Sequence, residues 1–287
     1  MKKFILLFIV VLVQQMSIDS LVADTKDRAN VFPDKDGSHL YNDYTSYQGK
    51  KITAPTRLEI PAIAPGETII SHTGYSLVYS EPYEQAKWVA YELTKAETNS
   101  IVKRSNKFIP DPLVKSGTAS DKDYAGSDYD KGHLAPAADM CWSSKTMAES
   151  FYYSNMSPQL PGFNRGVWKR LEELVRAWAI ENEDIYVVTG PVLTNGLQSI
   201  GPDKVSVPEY YYKVILDYTD PDIKGIGFIL PNKGSDEPLQ NYAVTIDSVQ
   251  KFTGIDFFPA IPDNQETKIE KTICLNCWTW KNNQNSN

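Results

Sequence analysis

Within the run Tyr129-Asp130-Lys131-Gly132-His133-Leu134-Ala135-Pro136, an imidazole follows a cation and a carboxylate. An imidazole changes charge between pH 5 and 8, so it is the side chain best matched to taking a proton from water near neutral pH. The chain has three histidines, His39, His72 and His133. His39 and His72 stand in surroundings that suggest structural or exposed roles, which leaves His133 as the candidate general base. Gly132 lets the backbone turn tightly and present the ring. Asp130 or Asp139 could accept the second ring N–H and fix its tautomer; spacing does not choose between them.

A second group of polar residues follows. Ser154-Asn155-Met156-Ser157-Pro158-Gln159 precedes Gly162-Phe163-Asn164-Arg165-Gly166-Val167-Trp168, then Lys169-Arg170-Leu171-Glu172. Each residue has a plain structural reading. Asn164 suits a helix N-cap, Glu172 suits an exposed helix charge paired with Arg176 at i+4, and Asn155 suits a turn before Pro158. On a regular helix, Asn164 and Glu172 lie about 12 Å apart along the axis at ~1.5 Å per residue, and about 80° apart around it. Both cannot easily touch one small ion.

Taken together, these segments resemble the DNA/RNA non-specific endonucleases. The family's signatures are Asp-Arg-Gly-His-x-Ala-Pro, Ser-Asn-x-x-Pro-Gln and Asn-x-x-x-Trp-x-x-Leu-Glu, and all three occur here in order. The likeness extends from about residue 70 to 262. It implies a ββα-metal fold, with His133 as general base and Asn164 as the direct protein ligand of a divalent cation. It also implies Glu172 beside the metal's water shell and Asn155 supporting the histidine or the phosphate. Arg104 matches the upstream phosphate-binding arginine. Lys131 stands where the family has arginine, which keeps the charge and loses the planar fork. The implied cofactor is Mg²⁺, with Mn²⁺ or Ca²⁺ as substitutes for a site with so few protein ligands. The implied partners are DNA and RNA substrates cut to 5′-phosphates, and a homodimer stays open. Hydrolysis of another phosphodiester, or a nucleic-acid-binding module that has lost catalysis, are the rival readings.

These residues need a scaffold. Composition is that of a folded chain, with 41% hydrophobic and 23% charged residues, which excludes global disorder. Apolar spacing at Ala86, Val89, Ala90 and Leu93 predicts a helix over 81–94, and a second helix is predicted over 164–182. Strands are predicted at 72–79, 185–189, 210–217 and 226–230, and a further helix at 245–252. The expected fold class is α+β, a ββα-metal motif on a mostly antiparallel central sheet with flanking helices.

The N-terminus reads differently. Met1-Lys2-Lys3 precedes an unbroken apolar run from Phe4 to Val13, which fits a secretory signal and is too short to span a bilayer. Cleavage after Ala23 or near Ser20 would give a secreted or periplasmic protein without stable membrane association. The expected divisions are a signal peptide at 1–23, a flexible lead-in at 24–69 and a catalytic domain at 70–280. The chain's formal charge is −7, so net charge argues against tight non-specific polyanion binding; a nucleic-acid function needs a local basic patch or a metal. Cys141, Cys274 and Cys277 allow one disulfide, within the C-terminal pair or with Cys141. A zinc site lacks its second half.

Overall fold

A computed structural model describes residues 56–280. The leader, His39 and the first part of the lead-in fall outside the described residues. Leu58 is fully buried, so packed chain begins before residue 70.

Among the described residues the strands are β1 (Ile69–Ser71), β2 (Ser76–Ser80), β3 (Gln85–Thr94), β4 (Asp130–His133), β5 (Met156–Gln159), β6 (Asp184–Pro191), β7 (Ser199–Ile200), β8 (Val205–Ser206), β9 (Tyr210–Asp217), β10 (Lys224–Pro231) and β11 (Ala243–Val244). The α-helices are α1 (Asp121–Tyr124), α2 (Ser144–Glu149), α3 (Lys169–Asn182), α4 (Ile246–Thr253) and α5 (Asp263–Lys271). Seven strands form one sheet in the order β1-β2-β3-β6-β9-β10-β11, with every pairing antiparallel. β4 and β5 form a separate hairpin-like pair, and β7 pairs with β8.

The predicted helix over 81–94 is a strand. Only Glu81–Tyr83 is helical, as a single 3₁₀ turn ended by left-handed Glu84, and β3 follows. The helical spacing is an accident of two-sided burial. Ala86, Val89, Tyr91 and Leu93 enter one core, Trp88 and Ala90 the other. A strand covered on both faces shows an apolar run without clean alternation, and Trp, Val and Tyr favour the pleated backbone.

The sheet has two packed faces. On one, α3 buries Leu171, Leu174, Val175 and Trp178 against Val187, Ile215 and Phe228. Fully burying a side chain such as Leu171 contributes about 2–3 kcal/mol. Trp178 Nε1 donates to Thr279 O (2.7 Å), and its ring meets Trp278 at 4.4 Å, so the C-terminal segment closes over α3. A Cys274–Cys277 disulfide lies in that segment, and Cys141 is free and buried. On the other face, α4 and α5 bury Ile246, Val249 and Ile269 against Val188, Val214 and Leu216. Gly254, at φ 72°, ends α4 in the left-handed conformation that glycine adopts without penalty. No helix among the described residues is long and apolar enough to cross a membrane.

Candidate active site

β4 carries His133 at its end, paired across to Met156 of β5. Gly132 is not in a turn. A Cβ there would fall 2.2 Å from the buried Gln159 side chain, so glycine lets β4 lie directly on β5. His133 is buried, with its ring edge-on to Phe151 (4.8 Å) and tilted against Phe108 (5.9 Å). Burial, reinforced by the nearby Arg104 charge, lowers its pKa to about 3, so the ring is neutral at physiological pH and holds a lone pair. Its Nε2 has no hydrogen-bond partner among the described residues.

Neither expected carboxylate orients the ring. Asp130 accepts from Asn164 Nδ2 (2.8 Å) and from Arg165 Nε (2.8 Å). Asp139 accepts from Tyr91 Oη (2.8 Å) and Arg176 Nη1 (2.8 Å). Aromatic contacts hold the histidine instead.

Arg104 and Lys131 share aromatic neighbours with this ring, and Asn155 holds the backbone that follows it. Arg104 lies over the same Phe151 ring, 5.0 Å from its centroid, and donates to Asn106 Oδ1 (2.8 Å). Lys131 sits 4.2 Å from the Phe108 centroid and pairs with Asp121. Phe108 thus meets both Lys131 and His133, and Phe151 meets both Arg104 and His133. Asn155 is fully buried. Its amide donates to Ala135 O (2.9 Å) and Ser150 O (2.8 Å), and its oxygen accepts from Ala135 N (2.8 Å). It is therefore engaged with backbone and anchors the segment immediately after His133.

Asn164 does not cap a helix. It lies in a π-type turn, Phe163–Trp168, in which Gly166 leaves helical geometry at φ −110°, ψ −108°. That kink separates Asn164 from α3, so the even spacing assumed between Asn164 and Glu172 does not hold. A carboxylate only accepts hydrogen bonds, so Asp130 fixes which end of the Asn164 amide it meets and turns Oδ1 away from itself. Glu172, in the first turn of α3, is half-buried, and burial raises its pKa to about 7. Lys213, Arg176 and Arg104 act against that rise, and Asp139 adds to it.

Sequence reasoning missed Phe108, Phe151, the Tyr91–Asp139–Arg176 chain and Lys213. The last had a visible signal: a lysine inside the apolar strand Tyr210–Leu216. A groove of about 470 Å³ between Glu67, Tyr79, Lys87 and Val114 contains none of the site residues.

The oxygen set fits a hard divalent cation. Asn164 offers an oriented amide oxygen and Glu172 a carboxylate, and Mg²⁺ commonly keeps several waters beside one or two protein oxygens.

The family profile described as DNA/RNA non-specific endonuclease matches residues 56–264. The chain is 36% identical over 211 residues to zebrafish mitochondrial nuclease EXOG, covering 68% of this chain and 62% of that protein. It is 34% identical over 206 residues to bovine mitochondrial endonuclease G, covering 67% and 69%. It is 32% identical over 231 residues to a nuclease of Nostoc sp., covering 76% and 81%. It spans about 60% of the length of the EXOG relatives. The crystal structure of the EndoG/EndoGI complex superposes with a TM-score of 0.64 at 32% identity, over 69% of this chain and 88% of that one. These relatives correct the expectation of a secreted or periplasmic protein, because those named by compartment are mitochondrial nucleases. A short apolar leader does not by itself fix the destination. With its ββα-metal architecture and its matched span, the chain belongs to the DNA/RNA non-specific endonuclease family.

Proposed function

We propose that this protein is a metal-dependent endonuclease that hydrolyses DNA and RNA phosphodiester bonds with little sequence preference, leaving 5′-phosphates. The observation that carries the reading is His133: buried, neutral and in the shared aromatic setting of Arg104 and Lys131. A neutral imidazole takes a proton from the attacking water. Arg104 binds the phosphoryl oxygens and offsets charge that builds there. Lys131, held by Asp121 and Phe108, contributes a fixed positive charge. Asn155 keeps the Leu134–Ala135 backbone, and with it the histidine, in place. When bound, a hard cation such as Mg²⁺ would be held by Asn164 Oδ1, with Glu172 beside its waters, and would supply charge neutralisation at the phosphate and help for the departing oxygen. Contacts made to phosphate carry no base information, which accounts for the weak sequence preference.

The test is cleavage of plasmid and of RNA by purified protein, with EDTA and then with Mg²⁺ or Mn²⁺ restored. Cleavage lost with EDTA and regained with metal supports the reading. Turnover of a small diester such as bis-p-nitrophenyl phosphate without nucleic-acid cleavage would instead favour a different phosphodiesterase. No cleavage under any metal would leave a binding module. Asn164→Ala should weaken the Mg²⁺ titration and the rate together; a titration matching the parent would remove the ligand assignment.

A further inference from the structure

The chain carries a formal charge of −7, yet the segment Ile101-Val102-Lys103-Arg104-Ser105-Asn106-Lys107-Phe108-Ile109-Pro110 holds three cations and no acid. Backbone hydrogen bonds fasten both ends of this loop. Ile101 N and Val102 N donate to Cys141 O (3.0 Å each), and Ile109 N donates to Phe151 O (3.2 Å). Val102 and Phe108 pack on a small cluster of Ala137, Cys141, Met147 and Phe151. Arg104 lies over Phe151 and the Phe108 ring meets His133, so the loop runs beside the candidate base. Lys103 and Lys107 are left exposed on it.

Several exposed lysines elsewhere are answered by acids. Lys95 pairs with Glu183, Lys145 with Glu149, Lys169 with Glu173 and Lys251 with Asp247. Even the cations next to the site are tied, Lys131 to Asp121 and Arg165 to Asp130. Neither the Lys103 nor the Lys107 ammonium has a hydrogen bond or an ion pair among the described residues. Both keep their full charge for an anion from outside. They are four positions apart, so their Cα atoms lie within about 14 Å of each other at most. That span takes in several phosphates of a nucleic-acid strand, at about 3.4 Å of rise per nucleotide.

We infer that Lys103 and Lys107 form a flanking-phosphate subsite, which binds strand phosphates next to the one held at Arg104 and His133. This rests on the nuclease reading and names its substrate as a strand with phosphates beyond the scissile bond. Contacts to phosphate fix a strand's position without reading its bases. They also let an acidic protein hold a polyanion through one local field. Each ammonium neutralises a phosphate and releases condensed counterions, so the grip weakens with salt.

The test uses the full chain as Lys103→Gln, Lys107→Gln, the two together, and Lys103→Arg with Lys107→Arg. Lys251→Gln removes a charge from α4, on the other face of the sheet, as the control. Binding of a fluorescein-labelled oligothymidylate in EDTA is followed by anisotropy across salt concentrations. Plasmid cleavage with Mg²⁺ gives kcat and KM, and thermal unfolding gives Tm. Each Gln substitution should flatten the slope of log affinity against log salt by about 0.7. The double Gln variant should bind roughly tenfold more weakly at low salt. Its KM for plasmid should rise by a similar factor, with kcat and Tm near the parent's. The Arg pair should bind as the parent does, and Lys251→Gln should keep the parent's slope. The inference is overturned if the double Gln variant keeps the parent's affinity and salt slope while the parent cleaves. It is equally overturned if Lys251→Gln weakens binding as much as either single variant, or if kcat falls with KM unchanged. A parent that binds with these lysine-dependent slopes but cleaves no nucleic acid would remove the nuclease reading and leave the phosphate subsite standing.

Discussion

The two faces of the central sheet each carry a cluster of charges, and the clusters are built on opposite rules. Beneath α3 the signs alternate: Glu172 and Asp139 stand among Arg176, Lys213 and Arg104. On the face covered by α4 and α5, Asp256, Glu266 and Glu270 meet within 4.8 Å as one sign. Both clusters lose solvent, and in both a carboxyl is pushed up to about 7. Opposing cations restrain the rise at Glu172, whereas at Glu266 and Glu270 the neighbouring acids add to it. The first arrangement keeps a partly buried anion usable for chemistry at neutral pH. The second makes the fold carry a repulsion that grows as the protons leave.

The contrast can be broken most severely at the site. His133→Ala should lower kcat/KM by roughly 10²–10⁴-fold, with Tm lowered by the lost packing on Phe151 and Phe108 and no side-chain hydrogen bond orphaned among the described residues. Retained cleavage would remove the base assignment. Next in size, Asp139→Ala would strand the Arg176 guanidinium and the Tyr91 hydroxyl under α3. Breaking a buried ion pair costs about 3 kcal/mol or more, and thermal unfolding should show a drop on the order of 6–12 °C for a domain of this size. A drop no larger than that of an exposed control would mean that the pair is solvated.

A third test concerns pH. His133 is already neutral above about pH 3, so it gives no acid limb near neutrality. Glu172 must lose its proton near pH 7, so kcat/KM should rise through that region, and Glu172→Gln should flatten the rise at low residual activity. A rise that survives in Glu172→Gln would place the titrating group elsewhere. The smallest effect belongs to the opposite face. Glu266 has a folded pKa raised above its unfolded value, so its contribution is present below about pH 4.5 and is lost as pH climbs through about 7. Glu266→Gln should therefore raise Tm by a few degrees at pH 8, on the order of 2–4 °C per kcal/mol, change it little at pH 4, and leave cleavage at the parent's level. An equal gain at both pH values would show that repulsion is not the cause.

Local signals serve unevenly. The strand Tyr210–Asp217 is legible because β-favouring Tyr, Val and Ile fill it and a turn follows it, and the helix Ile246–Thr253 because its apolar period is clean. β3 reads as a helix because burial on both faces erases the alternation that marks a strand. At the site, the glycine of Asp130-Lys131-Gly132-His133 is visible in the sequence, but its purpose is not. Its reason is the Gln159 side chain, distant along the chain and packed against it in space. Asn164 reads equally as a helix cap, and only the approach of Asp130 from β4 shows which way its amide points.

By itself, the sequence determined the family and the identity of the polar groups, because motif order and residue chemistry are properties of the chain. Tertiary structure decided their states. The neutrality of His133, the raised carboxyl of Glu172 and the ammonium of Lys213 enclosed beneath α3 all follow from what surrounds them. Desolvation and Coulomb interaction depend on distance through space, and the residues supplying them here lie on strands and loops far apart along the chain.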